Sequence, residues 1–355
     1  MQSSQTSSIN LAAVRRTVDA RLAAFLAGKA RRARDECLPC EVAEVLGGLV
    51  FRGGKRLRPV LCVVGWHAAG GQGTTDAVVS VAASLEMFHT GVLIHDDVMD
   101  LSDTRRGHPT AHRALAARHA APGGSERRGQ QMAVLLGDLA LSWSTELVHG
   151  AGLTGTQRGS VDTVLDAMRE EIMYGQYLDV LGGEAMADAG HALRTARLKT
   201  GQYTTVRPLH LGAALAAAPA QVVRDCSAYA VPLGEAFQLR DDLLGVFGRS
   251  ERTGKPTLDD LREGKNTVLM ALALQLADSV QRAALLRLVG DPGLDEHNAR
   301  RVRDLLTMTG AVAAVEEMIA DRHRAALQAL EGSCLRPAAV VALRQLADAA
   351  AVRSS

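Results

Sequence analysis

The chain is poor in most features that would assign it quickly. Aromatic residues make up 3% of its 355 residues. No apolar run approaches the roughly 20 residues that a membrane span needs, so no span is expected. The first residues, MQSSQTSSIN, lack the basic and apolar regions of a secretory leader. Residues 1–10 read as a disordered tail on a cytoplasmic protein. The net charge is +1, which offers no electrostatic footprint for nucleic acid. No segment alternates like a strand, and no repeat of solenoid period stands out. Cysteines number five, two of them (Cys37 and Cys40) in a CLPC pair. Neither a second Cys/His pair for zinc nor a βαβ context for redox chemistry accompanies that pair, so the thiols read as ordinary.

The scarcity of lysine is more informative. Of 40 Lys+Arg, five are lysine: Lys29, Lys55, Lys199, Lys255 and Lys265. In a chain this rich in alanine and arginine, a retained lysine marks a place where a compact ammonium is needed. All but Lys29 fall within the motifs below.

What is present is a core and a helical rhythm. Hydrophobic residues are 47% and charged residues 22%, enough for a sizeable core and against global disorder. Apolar spacing predicts helices over 11–30, 41–52, 57–70, 75–102, 109–120, 127–150, 157–181, 192–217, 220–248, 266–289, 295–330 and 337–350. No linker is long enough to divide the chain. The expectation is an all-α fold, a single multi-helix bundle over residues 11–355.

The segment HTGVLIHDDVMDLSDTRRG runs from His89 to Gly107. On a helix, Asp96 and Asp100 share one face a turn apart, and Asp97 lies about 100° round. Like charges at this spacing repel unless divalent cations sit between them and an anion. Oxygen-only donors select a hard ion, most plausibly Mg²⁺ shared with phosphate. Arg105 and Arg106 can fork onto phosphate oxygens. Alone, such a cluster is more often a solvated helix end. A second cluster, FQLRDDLLGVFG, carries Asp241 and Asp242 with Gly245 at the next position of the spacing. Metal is expected there through Asp241, assisted by Asp242. Lys255 and Lys265 each follow a glycine that lets backbone approach an anion. LKTGQYT supplies Lys199 and Thr200, and RGGKRLRP supplies Lys55, Arg56 and Arg58. Two groups of cations suggest two anionic substrates, one held through metal with Arg105, Lys199 and Lys255, the other held directly by Lys55, Arg58 and Arg106.

Taken together, GGKRLRP, HTGVLIHDDVMDLSDTRRG, GDLAL, YGQYLD, KTGQYT and FQLRDDLLGVFG with TGK and EGK resemble the trans-isoprenyl diphosphate synthases, the polyprenyl synthetase family. They follow the family's order from residue 53 to 265. The resemblance implies an all-α fold around a deep cavity, a homodimer, and three Mg²⁺ ions with substrate bound. It implies that Asp96, Asp97 and Asp100 hold metal on one wall and Asp241 and Asp242 on the other. It assigns Lys55, Arg58, His89 and Arg106 to isopentenyl diphosphate. Arg105, Lys199 and Lys255 go to an allylic diphosphate (dimethylallyl, geranyl or farnesyl), with Lys265 at its edge. Thr200 and Gln238 face the developing carbocation. Gly245 departs from the third aspartate of many members.

The expected activity is head-to-tail condensation of isopentenyl diphosphate with an allylic diphosphate, by the Mg²⁺- and cation-assisted departure of diphosphate into a water-free cavity. Product length follows from the helix before Asp96. Gly91 and Val92 leave one level open, and Phe88 and Met87 close it a turn deeper, ~5.4 Å on. That points to a C20 product, geranylgeranyl diphosphate, ahead of C25 or longer and of C15. Gly91 also admits a plain helix-packing reading, since glycine costs a helix ~1 kcal/mol and needs a reason to be there. A class I terpene cyclase should carry an N-D-x-x-S-x-x-x-E segment and more aromatics to steer cations. A non-catalytic partner subunit should have lost motifs that are intact here.

Overall fold

The helices form where apolar spacing and end signals coincide. In this computed structural model, which describes residues 8–120, 125–182, 187–248 and 258–351, the first half comprises α1 (Leu11–Asp35), α2 (Glu41–Phe51), α3 (Leu57–Ala68) and α4 (Asp76–Met99). A two-residue strand pair, β1 (Thr104–Arg105) and β2 (His108–Pro109), leads to α5 (Ala111–Arg118), α6 (Ser125–His149) and α7 (Gly155–Leu181). Next come α8 (Ala189–Ala196), a π-helical segment (Arg197–Val206), α9 (Arg207–Leu215) and α10 (Ala220–Phe247). The chain continues through α11 (Asp259–Arg262), α12 (Val268–Leu276), α13 (Ser279–Leu288), α14 (Glu296–Met308), α15 (Ala311–Ala329) and α16 (Pro337–Ala351). The fold is all-α, as expected.

Three expected helices are divided, each for a local reason. The run 266–289 breaks because Asp278 caps a new helix, accepting from Gln281 N at 2.8 Å while Gln281 reaches back. The run 295–330 breaks at Gly310, whose φ of +81° cannot continue a helix. The run 192–217 widens after α8 into the π segment, a feature found mostly at functional sites. Residues 1–7 of the expected N-terminal tail, and Lys255, lie outside the described residues.

α4 is the axis of the core. By length and composition it would qualify to cross a membrane, which run length alone did not suggest; 83% of that stretch is buried inside the protein. It packs on α6 through a pair of glycines. A Cβ at Gly91 would lie 2.9 Å from the Gly137 carbonyl and 3.0 Å from Leu141, and a Cβ at Gly137 would collide with the His95 ring. The bare Gly91 therefore has a packing cause, and its open side is filled by α6. One hydrophobic cluster gathers around α1 to α7 and α9. A second gathers around α12 to α15. α10 belongs to both, with Tyr229 and Leu233 in the first and Leu239 and Leu243 in the second.

Candidate active site

The last turn of α4 brings Asp96 and Asp100 to one face, and the surrounding elements answer with cations. Lys199, on the π segment, lies 3.0 Å from Asp96 and 2.7 Å from Asp179 of α7. It can stand there because Gly175 lets α7 close on the π segment; a Cβ at 175 would collide with the Lys199 backbone. Arg105 bonds Asp96 at 3.0 Å and Asp97 at 2.6 Å. Lys265 lies 3.3 Å from Asp100, 3.3 Å from Asp260 and 2.8 Å from Glu263. Burial pushes the Asp96 carboxyl up, but Lys199, Arg105 and Lys265 overcome it and hold Asp96 below the usual carboxylate range. Asp100 moves the other way, raised by burial and by the neighbouring Asp96 charge.

The arginine pair divides because of its turn. Arg106 and Gly107 have φ of +54° and +74°, and Arg105 pairs with His108 across them. Both central residues of the hairpin turn are left-handed, as a type I′ turn requires. Arg105 is thereby aimed at the α4 carboxylates, while Arg106 crosses to donate to the Gly53 carbonyl at 2.8 Å. A non-glycine residue held there is strained by about 1–2 kcal/mol, a kind of cost that clusters at functional sites.

Beside Arg106 lies a cleft of about 480 Å³, open mouth included, lined by Arg52, Glu86, His89, Asp97, Arg105 and Arg106. Burial and the charges of Arg58, Arg106, Arg105 and Arg56 drive His89 well below its ordinary pKa, so it is neutral at pH 7. Its Nδ1 shares a 3.1 Å hydrogen bond with the Tyr203 hydroxyl. Arg58 lies 4.2 Å over the Tyr203 ring and donates to Thr204 at 2.7 Å. Arg106 is itself pulled down, by burial and by Arg105, Arg56 and Arg58. Arg56 is paired with Asp19 and Glu86, and Arg105 with Asp96 and Asp97, whereas Arg58 and Arg106 bond a hydroxyl and a backbone carbonyl. Those two guanidiniums are the best placed to exchange their bonds for an anion.

The second wall is α10. Asp241 is exposed and Asp242 half-buried. Gln238 donates to Asp242 at 2.7 Å, so the amide is engaged with the carboxylate in this state. Burial, with added repulsion from Asp260 and Asp241, pushes Asp242 up to about 7 against the opposing bond from Gln238. Lys265 ties the walls together, since Asp100 caps the C-terminus of α4 and Asp260 lies against Gly245 of α10.

Other expected site residues fall as follows. Lys55 is exposed on the glycine loop before α3, and Thr200 is half-buried on the π segment. Asp97 is 3% exposed and paired with Arg105, which also bonds Asp96. Met87 and Phe88 are buried, Phe88 edge-on to Tyr203 with ring centres 6.4 Å apart, and Val92 is half-buried.

The donor set fits hard divalent cations. It is oxygen-only, and Asp96 Oδ1 and Asp100 Oδ2 each face an ammonium, Lys199 at 3.0 Å and Lys265 at 3.3 Å, in the places a divalent cation would take. Among the described residues no group of three metal-ligating side chains stands ready, because lysines occupy the place between the carboxylates.

The polyprenyl synthetase family profile matches residues 40–306. The chain belongs to the polyprenyl synthetase family. A geranylgeranyl pyrophosphate synthase from Corynebacterium glutamicum, solved with isoprenyl diphosphate and magnesium, superposes with a TM-score of 0.93 at 36% identity over 98% of this chain and 100% of that one. A geranylfarnesyl diphosphate synthase from Aeropyrum pernix is 32% identical over 76% of this chain and 80% of its own length. A (2E,6E)-farnesyl diphosphate synthase from Mycobacterium bovis is 34% identical over 68% of this chain and 62% of its own length. The names of these relatives thus cover three product lengths.

Several site residues escaped the sequence reading. Asp179 lies within YGQYLD and Tyr203 within KTGQYT, both segments noted for their order and not for these side chains. Glu263 stands beside Lys265, where its proximity was readable. Asp260 had no one-dimensional signal, since its relation to Gly245 exists only in space.

Proposed function

We infer that the chain condenses isopentenyl diphosphate head to tail with an allylic diphosphate, and that its main product is geranylgeranyl diphosphate. The single observation that carries this is the pairing of two unlike anion sites at the end of α4. The arginine cluster around His89 suits a diphosphate bound directly. The carboxylate walls, with Lys199, Arg105 and Lys265, suit a diphosphate bound through Mg²⁺. The metal would be held by Asp96 and Asp100 on one wall and by Asp241 and Asp242 on the other, three ions in all with substrate bound. Bound there, it neutralises the charge that grows on the departing diphosphate.

The chain's own residues supply the rest. Lys199 and Lys265 exchange their carboxylate partners for phosphate oxygens. Arg58, Arg106, Lys55 and neutral His89 position the second substrate, its double bond directed at C1 of the allylic diphosphate. Thr200 and Gln238 turn their oxygens to the cation. The C1–O bond to diphosphate breaks, the new C–C bond forms, and the proton is lost to the departed diphosphate.

For product length, the level of Gly91 is bounded by Leu141 and the Gly137 carbonyl, with Met87 and Phe88 below. C20 ahead of C25 or C15 is proposed from the bulk of Met87 and Phe88 one turn deeper than Val92, since α6 already fills the side of Gly91. A homodimer is proposed on family grounds, supported by the exposed apolar side chains Leu135 on α6 and Tyr174 and Tyr177 on α7. A cytoplasmic setting accords with five free cysteines.

Purified protein with Mg²⁺, labelled isopentenyl diphosphate and each of dimethylallyl, geranyl and farnesyl diphosphate tests the reading. C20 should dominate. No elongation from any starter would overturn it.

A further inference from the structure

Three elements cross from one hydrophobic cluster to the other, and each carries a charged residue at its crossing. α10 leaves the first cluster at Leu233 and enters the second at Ala236, with buried Glu235 between them. α15 crosses between Ile319 and Ala326, with Arg322 in the interval. α8 gives Ala192 to the second cluster and the π segment gives Tyr203 to the first, with Arg197 between. The three side chains meet. Arg197 donates through Nε to Oε1 of Glu235 at 2.9 Å, and through a second nitrogen to the same oxygen. Arg322 donates through Nε to Oε2 at 2.7 Å.

At the same level the π segment and α10 touch backbone to backbone. A Cβ on Gly234 would lie 3.0 Å from Gly201 and 2.6 Å from Oγ1 of Thr205. That hydroxyl donates to the Ala230 carbonyl at 2.8 Å. The seam is thus pinned on both sides of the glycines, by Thr205 and by Arg197. Lys199 and Thr200 lie between Arg197 and Gly201, and Gln238, Asp241 and Asp242 follow Glu235 within two turns. Apolar burial is non-directional, so it does not fix how one core is turned against the other. A carboxylate bonded from two directions does. Buried ion triads are poor sources of stability, since well-packed apolar residues of similar volume often serve as well or better. This one needs another cause.

Resting on the function proposed above, we propose that Glu235 is a positioning residue for the condensation. It fixes the register of Gln238 and the α10 carboxylates against Lys199 and Thr200, and with it the gap that a metal-bound diphosphate spans. The α4 wall belongs to the first cluster through Phe88 and Ile94, and the α10 wall to the second through Leu239 and Leu243. The register of the two cores is therefore the register of the two walls. The competing role for the triad is stability alone.

Replacing the whole triad separates the two roles. Arg197→Met, Glu235→Leu and Arg322→Met combined in one variant leave no buried charge without a partner. Its melting temperature should stay within about 3 °C of wild type or rise. Its kcat should nevertheless fall by about 10-fold or more. The KM for isopentenyl diphosphate should stay within about twofold, because Lys55, Arg58 and Arg106 all stand on the side of the first cluster. Wild-type kcat in a triple variant that melts like wild type overturns the proposal. So does a loss that lies wholly in the KM for isopentenyl diphosphate. Should the triple variant melt too low to assay, Arg197→Ala decides alone. Arg197 is half-exposed, so its removal costs little stability. Its kcat should fall about 3-fold at unchanged KM, and an unchanged kcat overturns the proposal. Wild-type protein that elongates no starter would instead sink the underlying functional reading.

Discussion

The two acidic walls use the same side chain under opposite conditions. On α4, Asp96 is met by Lys199 and Arg105 from two other elements and stays ionised despite burial. On α10, Asp242 is met by an amide, with Asp241 and Asp260 adding like charge, and its carboxyl is held up near neutrality. The first wall is a complete ion network before any ligand arrives. On the second, a proton competes with a cation for Asp242 near neutral pH. Burial raises proton affinity in both places, and the sign of the result is set by which charges the neighbouring elements present.

The largest test of this contrast is Lys199→Ala. It strips the α4 wall of the ammonium shared by Asp96 and Asp179, and kcat for condensation should fall by about 100-fold or more. An unchanged kcat would break the claim that this network acts in catalysis. Next come the residues that bound the wall's lower turn. Gly91→Phe should shorten the product and destabilise by about 1–3 kcal/mol through overpacking against α6. Leu141→Ala should lengthen the product, resolved by chain length. An unmoved product distribution in both would remove depth control from this level.

A smaller effect is expected on the second wall, from Asp242→Asn in metal-free protein. The folded carboxyl keeps its proton up to about 7, against an ordinary value of 3.8. Between those values the folded state binds more protons than the unfolded one, so this group's contribution to stability falls as pH rises through the window. The variant should therefore gain in melting temperature over wild type between pH 4 and pH 8, and match it at the acid end. A constant offset would show that Asp242 titrates normally. The smallest effect is assigned to an exposed helical pair. Arg324, bonded to Asp321 in a solvated turn, should tolerate Arg324→Ala with a change under about 0.5 kcal/mol by chemical denaturation. A larger loss would blur the distinction between site charges and surface charges.

The helical class was readable because apolar spacing and capping residues act over a few positions. Thr154 with Gln157 and Asp278 with Gln281 are examples, each starting a helix by a bond three residues long. The acidic and cationic residues were readable as types, since oxygen-only donors and spaced lysines imply a chemistry wherever they meet. Their pairings were not. Nothing local says that Lys199 reaches Asp179, or that Asp97 and Asp96 share Arg105.

Gly91 marks the same boundary. The sequence allowed a depth reading and a packing reading, and the approach of α6 supplies the packing cause. Sequence alone determined that this chain is a helical protein carrying two acidic clusters and dispersed cations in polyprenyl synthetase order, because periodicity and residue chemistry are local properties. Only the tertiary structure decided which carboxylates keep their charge and which carboxylate stands beside Gly245. Those outcomes depend on burial and on charges brought from distant parts of the chain, and both exist only once the helices have packed.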